Sequence, residues 1–260
     1  MMNLVSFTTL IQREIKRFLK VIIQTVVSPI ISSSLYLLIF GVSLGSKMDL
    51  KNGLPYIAFL IPGLMVMGLI NNAFQNSSSS IVNAKFSGDL EDLRVAPITN
   101  NQIVWAMGIV GIIRGSVVAG ITGLVGLFFQ YLLNDSVMMI HHPFMFLSFL
   151  VLGGLIFSFC GIFVAFIAKT FDQLSAFSTF ILLPLTYLGG VFTSIDGLSP
   201  FWQKLCHLNP VFYLINGFRY SIVGLSDVDI GLTYIVSIIA LFITFMMAKY
   251  SLAKGSFSRW

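Results

Sequence analysis

Charged residues are scarce in this chain. Asp, Glu, Lys and Arg make up 10% of its 260 residues, while 57% are hydrophobic and 25 are Phe. A soluble globule of this length needs far more polar surface, so the composition excludes that class and predicts a membrane protein. The sequence lacks the regular polar and apolar alternation of a membrane barrel. Transmembrane helices are therefore the expected spanning structure.

Residues that support catalysis or metal binding are also few. His141, His142 and His207 are the three histidines, and none lies inside a predicted span beside a serine, which argues against an intramembrane serine protease. The two cysteines lack the spacing of a metal site or a redox pair. The nearest approach to a phosphate-binding loop, residues 41–48, has the wrong spacing. We expect no catalytic residue, cofactor, metal site or ATP hydrolysis in this chain.

Long charge-free stretches predict where the chain crosses the membrane, since a span takes roughly 20 apolar residues. The two stretches on either side of Arg114 are joined into one helix, because the polar start of the first leaves only about a dozen apolar residues. We place the beginning of this helix at Thr99 or Asn100, which are capping residues. The predicted spans are six, near residues 22–44, 56–82, 101–132, 143–168, 173–193 and 230–249.

Residues 1–21 carry apolar side chains at helical spacing and basic side chains largely on other faces. This pattern predicts an amphipathic helix on the membrane surface, with a basic leader that only sets topology as the alternative. We expect no cleavable signal peptide, since the first apolar run begins only after about 20 mixed residues. Basic residues are retained in the cytoplasm, and most of them lie on the side of the termini. Both termini are therefore expected to be cytoplasmic, with span six and a cytoplasmic tail in residues 230–260.

The densest charge lies between spans two and three, in the sequence SGDLEDLRVAPIT. Its central residues are Asp89, Leu90, Glu91, Asp92, Leu93 and Arg94. They predict a short amphipathic helix along the cytoplasmic surface, with leucines toward the bundle and charges toward the cytoplasm, and a solvated loop is the alternative. Acidic residues do not contribute to cytoplasmic retention, so we expect them to bind a partner with basic groups.

Polar residues also interrupt the predicted second and third spans, namely Asn72, Gln75, Asn76 and Arg114. Counted from the shared inner end of the two spans, they lie at similar depth, because a helix rises 1.5 Å per residue. A charge near the bilayer centre costs at least roughly 2.5–3.5 kcal/mol, so Arg114 needs polar surroundings. We expect these four residues to share a cavity. In the alternative, Arg114 snorkels to the inner surface.

Residues 194–229 are apolar but interrupted by prolines and polar side chains. They are too broken for a span and too apolar for a free loop, which predicts short helices that dip into the outer leaflet. The aromatic residues here are expected either in an outer interfacial belt or at a cargo gate. They are Trp202, Phe212, Tyr213, Phe218 and Tyr220.

Two stretches of the chain resemble ABC-2-type export permeases. The sequence AKFSGDLEDLRVAPITNNQIVWA is similar to the segment between the second and third spans of that family. The sequence LTYLGGVFTSIDGLSPFWQKLCHLNPVFYLINGFRYSIVG resembles the C-terminal signature of the family, and it includes Asn209, Pro210, Phe218 and Arg219. The layout of six spans after an amphipathic start also matches, so the resemblance covers residues 1–260 as a single transmembrane domain.

The resemblance implies an all-α integral membrane protein with a cytoplasmic coupling helix between spans two and three and a re-entrant helical hairpin in residues 194–229. It implies two copies of a separate ATPase subunit, a second copy of this chain and lipid as partners, without nucleic acid. The implied function is outward transport of a lipid, glycan or drug-like amphiphile across a bacterial inner membrane. A passive channel or ion-coupled carrier is the alternative, although coupled carriers usually keep carboxylates within their spans and all 10 acids lie outside the predicted ones.

Overall fold

The computed structural model describes residues 4–43, 55–90, 96–134 and 138–254, and the regular structure within these ranges is helical. The helices are α1 (Leu4–Lys20), α2 (Ile22–Tyr36), α3 (Tyr56–Ser87), α4 (Asn100–Asn134), α5 (Pro143–Ile167), α6 (Phe171–Phe177), α7 (Leu183–Leu188), α8 (Pro200–His207), α9 (Pro210–Val223) and α10 (Ile230–Lys254). A π-helical turn, Leu37–Val42, extends α2, and a second one, Ser178–Leu182, joins α6 to α7. A short 3₁₀ turn, Ile195–Gly197, precedes α8.

Five helices in the described ranges are long and apolar enough to cross a membrane. They are Ile22–Val42, Tyr56–Ser87, Asn100–Leu133, Pro143–Ile167 and Ile230–Lys254, and they match predicted spans one to four and six. The predicted fifth span falls on the run from α6 to α7, whose first turn contains the polar Asp172 and Gln173. At 1.5 Å per residue this run is about 27 Å long, slightly less than a hydrocarbon core of about 30 Å. The count of six spans therefore stays a prediction.

Helix α4 is continuous through Arg114, as the joining of the two charge-free stretches predicts. Thr99 caps its start: the backbone N–H of Gln102 donates to Oγ1 of Thr99 (3.3 Å), and the backbone N–H of Thr99 donates to Oε1 of Gln102 (2.9 Å). This reciprocal pair is a capping box and satisfies two amides at the helix end. The capping prediction for Thr99 is confirmed.

Helix α3 lies at the centre of the bundle and packs along α4 and α5. Its most apolar stretch is 78% buried, whereas that of α10 is 11% buried and so faces outward. At the N-terminus, α1 buries one face through Leu10, Glu14 and Phe18. At the other end of α3, the short α9 packs against α3, α5 and α10, so it belongs to the protein interior.

Helices α3 and α5 approach each other closely at Gly161. A Cβ atom on Gly161 would lie 2.5 Å from the carbonyl oxygen of Phe74, which belongs to the backbone and cannot rotate away. Small residues allow such close helix packing in membranes. We expect Gly161→Ala to force the two helices apart and to lower the free energy of unfolding by about 1–3 kcal/mol. Thermal unfolding in dodecyl maltoside micelles measures this loss.

Gly120 in α4 supplies the matched control. Within the described part of the chain, a Cβ atom on Gly120 would meet nothing within 4 Å. Gly120→Ala should therefore keep or raise stability, because alanine favours a helix more than glycine does. Equal melting temperatures for the two alanine variants would contradict the role of the close contact.

Candidate functional site

A cavity of about 760 Å³ opens between α1, α2, α3, α4 and α6. Its polar wall is made by helical faces on which hydroxyl and amide side chains recur at a spacing of three or four residues. These are Gln24, Thr25, Ser28, Ser32 and Ser33 of α2, and Asn71, Asn72, Gln75, Ser78, Ser79 and Asn83 of α3. The lining also includes two arginines, Arg17 of α1 and Arg114 of α4, and the hydroxyl groups of Thr122, Ser175, Ser178 and Thr179. The cavity therefore places polar groups inside a bundle that is otherwise apolar.

Arg114 faces this cavity together with Asn72 and Gln75. Its Nε is buried and has no hydrogen-bond partner among the described residues. The side-chain amides of Asn71 and Asn72 donate instead to carbonyl oxygens of their own helix, those of Met67 (2.9 Å) and Gly68 (3.1 Å). The structure thus brings three of the four predicted cavity residues around one space without bonding Asn72 to Arg114.

Asn76, the fourth predicted residue, lies behind the wall and contacts a different arginine. It is fully buried, and its backbone carbonyl and Oδ1 accept from Nη2 of Arg17 at 2.7 and 3.3 Å. Nη1 of Arg17 donates to Oγ of Ser79 (3.1 Å). The sequence pattern predicts the basic side chains of α1 largely on faces other than the apolar one, and the guanidinium group of Arg17 reaches acceptors that α3 supplies.

Glu14 completes this contact between α1 and α3. Its side chain is 1% exposed, and its carboxylate accepts from Nη2 of Arg13 (3.2 Å), Nε of Arg17 (3.0 Å) and Oγ of Ser80 (2.7 Å). Charged groups that are buried away from water need this kind of pairing. We name Glu14, Arg17, Asn76, Ser79 and Ser80 the α1–α3 network.

The opposite end of α3 packs against a second polar group, which we name the α9 cluster: Asn209, Asn216, Arg219 and Asp227. Oδ1 of Asn209 caps α9 by accepting from the N–H of Val211 (3.0 Å), and its Nδ2 donates to the carbonyl oxygen of Leu185 (2.6 Å). Asn216 donates to Oγ of Ser226 (2.9 Å), and its Oδ1 accepts from the N–H of Asp227 (2.7 Å). Pro210 occupies the first turn of α9, where its missing N–H costs nothing.

Arg219 of the α9 cluster is 2% exposed. Its Nη2 donates to the carbonyl oxygen of Gly190 (2.6 Å), its Nη1 lies 3.5 Å from Oδ2 of Asp227, and its Cζ lies 3.7 Å from the centre of the Phe59 ring. Gly190 has a φ of +83°, a backbone conformation that favours glycine. Arg219 therefore ties α9 to the end of α7 and to α3.

The aromatic residues of this region are mostly interior. Phe212, Tyr213 and Phe218 are buried, so an interfacial belt is wrong for these three. Their helix is enclosed by α3, α5 and α10, and the ring of Phe218 lies 4.9 Å from that of Phe146. Only Trp202 of the predicted set is strongly exposed among these described residues, while the partly buried Tyr220 stacks on His142.

With this geometry established, comparison with known proteins identifies the family. A family model described as ABC-2 type transporter matches residues 5–223. The chain belongs to this family. It is 40% identical to the inner membrane transport permease YadH of Escherichia coli strain K12. This alignment of 251 residues covers 96% of this chain and 95% of that protein. Nodulation protein J of Azorhizobium caulinodans is 25% identical, and the alignment covers 95% of this chain and 96% of that protein. Nodulation protein J of Neorhizobium galegae is 22% identical, and the alignment covers 88% of this chain and 86% of that protein.

These matches confirm the resemblance seen in the sequence. The chain is an ABC-2 transport permease and a multi-pass protein of the inner membrane. The polar cavity, the α1–α3 network and the α9 cluster are therefore features of a transport protein. The cavity is the candidate site.

The segment with the family's coupling pattern begins at the end of α3 in this permease. Gly88, with a φ of +86°, ends α3, after which the backbone is helical again at Asp89 and Leu90. Asp89 is exposed and Leu90 is 2% exposed, and the amphipathic helix expected over residues 89–94 stays a prediction. The rest of the predicted set lies outside the described residues: Glu91, Asp92, Leu93 and Arg94.

The contribution of α1 and α2 to the cavity was not predicted from the sequence. A signal for α2 exists, because Gln24, Ser28 and Ser32 recur every four residues within an apolar run. The contacts of Arg17 with Asn76 and Ser79 carry no comparable signal, since these acceptors lie about sixty residues along the chain in α3.

Proposed function

We propose that this permease is the membrane subunit of an ATP-driven exporter, and that the cavity receives the cargo. The observation that supports this role is a polar cavity of about 760 Å³ in an apolar bundle. This volume falls within the range of roughly 300–1,000 Å³ typical of small-molecule sites. A lipid, a glycan or a drug-like amphiphile matches such mixed polar and apolar walls, and outward movement across the inner membrane is the direction we assign.

The energy source in this proposal is a separate ABC ATPase, the partner with which permeases of this family work. We assign its docking to residues 89–94, and the exposed Asp89 beside the buried Leu90 supports an interfacial helix there. The complex would contain two ATPase subunits and two permease chains. Helices α2 and α10 expose apolar residues such as Ile23 and Ile235, which suits contact with lipid or a second copy.

The orientation belongs to the same proposal. With both termini in the cytoplasm, residues 89–94 and α1 face the ATPase side, and the six-span layout includes α6 and α7 as the fifth crossing. Residues 194–229 then form the re-entrant hairpin on the outer side, where Asn209, Pro210, Phe218 and Arg219 hold it against the spans.

Filling the cavity tests this function. Gln75 is exposed to the cavity, so Gln75→Trp should occupy the space without repacking the core and should abolish most ATP-dependent transport. The permease is co-purified with the ABC ATPase it retains and reconstituted in liposomes. ATP-dependent movement of fluorescent phospholipid, glycolipid and amphiphilic dye probes is then measured.

Leu124→Trp is the matched control, because Leu124 lies on the outward face of α4, is 68% exposed and does not line the cavity. This variant should transport like the unchanged protein. Full transport by Gln75→Trp would show that cargo takes another route. Probe movement that needs no ATP, or the absence of an ATPase from gentle purifications, would favour a channel or an ion-coupled carrier.

A further inference from the structure

The cavity carries an imbalance of charge. Its described lining residues include two guanidinium groups, those of Arg17 and Arg114, and no carboxylate. Glu14 lies behind the wall, where it already accepts from Arg13, Arg17 and Ser80. The lining of the cavity is therefore positive on balance.

The two arginines differ in how far their donors are used. Arg17 donates from Nε, Nη1 and Nη2 to protein acceptors. Nε of Arg114, in contrast, is buried without a hydrogen-bond partner among the described residues. An unmade buried hydrogen bond is costly, and a charge inside a membrane helix is more costly still. A buried donor of this kind calls for a partner, and a ligand in the cavity can supply it.

We propose that Arg114 binds the oxyanion group of an amphiphilic cargo. A guanidinium group presents several donors in a plane and matches phosphate and carboxylate geometry. The same cavity also has apolar walls, at Leu64, Met67 and Val118, beside which an acyl or other apolar portion can lie. This inference rests on the proposed function and narrows its cargo to anionic amphiphiles, in preference to neutral glycans and cationic drugs.

Ligand binding to the purified permease alone tests the proposal. The protein in neutral dodecyl maltoside is titrated with dodecyl phosphate, dodecanoate, inorganic phosphate or a neutral dodecyl glycoside, and the melting temperature reports binding. We expect dodecyl phosphate or dodecanoate to raise the melting temperature, and inorganic phosphate and the neutral amphiphile to leave it nearly unchanged. The dodecyl anion that raises the melting temperature more shows whether the site prefers a phosphate or a carboxylate group.

Variants locate the effect. Arg114→Leu should weaken binding of the dodecyl anion by about tenfold to a hundredfold, the equivalent of one lost charge-assisted hydrogen bond. Arg114→Lys should recover part of this loss, because a point charge remains without the planar donors. Lys16→Leu is the control: Lys16 is an exposed cation of α1 outside the cavity, and its removal should change little.

Three results would overturn the proposal: unchanged anion binding in Arg114→Leu, equal stabilisation by the neutral amphiphile, or equal stabilisation by inorganic phosphate. Arg114→Leu removes a charge from the membrane and should insert well. If the leucine variant does not fold, Arg114→Lys, which retains the charge, supplies the test. The measurement needs no ATPase. A permease that binds the dodecyl anion through Arg114 but shows no ATP-driven transport would keep this site and remove the exporter role.

Discussion

Glu14→Ala is expected to loosen α1 from α3 and to lower the free energy of unfolding by about 1.5–3 kcal/mol, because a buried carboxylate loses its charge-assisted hydrogen bonds while the arginines left behind are partly exposed. The carboxylate of Glu14 is 1% exposed and accepts from two arginines and from Ser80. Without it, Arg17 loses its counter-charge inside the bundle. Thermal unfolding in dodecyl maltoside measures the loss of stability, and limited proteolysis within α1 measures its detachment.

Two further substitutions separate the buried charge from general effects on α1. Gln12→Ala changes an exposed residue of the same helix and should leave both readouts unchanged. Glu14→Gln keeps an acceptor for Ser80 but loses the charge. Its stability should therefore lie between that of Glu14→Ala and that of Gln12→Ala. Equal protease resistance of Glu14→Ala and the unchanged protein would show that the α1–α3 network does not hold α1 in place.

Arg219→Met is expected to cost about 3–5 kcal/mol of stability at the other end of the bundle, because it leaves the partners of a buried cation unpaired. Asp227 loses its ion-pair partner, and the carbonyl oxygen of Gly190 loses a donor at 2.6 Å. The contact of the guanidinium with the Phe59 ring is lost as well. Thermal unfolding is again the measurement, with Lys204→Met in α8 as the control, because Lys204 is exposed.

A double variant tests whether Arg219 and Asp227 act as a pair. Arg219→Met combined with Asp227→Asn should recover part of the loss, since no uncompensated carboxylate then remains. Nε and Nη1 of Arg219 have no hydrogen-bond partner among the described residues, which limits what the arginine contributes. Strictly additive losses in the double variant would mean that the ion pair at 3.5 Å does not couple the two residues.

Composition and hydrophobic runs predicted the membrane class and most of the long helices, and the resemblance of two sequence stretches to ABC-2-type permeases predicted the family. The continuity of α4 through Arg114 and the cap at Thr99 followed from local rules, since span length and a capping box depend on residues close in sequence. The run from α6 to α7 was harder to assign. Its first turn is polar and its length is marginal for a bilayer.

The candidate cavity could be anticipated only in part. Asn72, Gln75 and Arg114 were predicted to lie together from depth alone, and the structure places all three around one space. Depth does not fix the direction in which a side chain points, however. Asn76, one residue after Gln75, turns behind the wall and binds Arg17 instead.

What the sequence determined by itself is therefore the membrane class, the family and the helices whose signals are local. Only the tertiary structure decided which distant polar groups meet, because Arg17 reaches Asn76 59 residues away along the chain and Arg219 reaches Gly190 29 residues away. It also decided that Phe212 and Phe218 face protein. The physical reason is that lipid and protein interior are equally apolar, so an apolar residue in a membrane helix does not reveal which of the two it contacts.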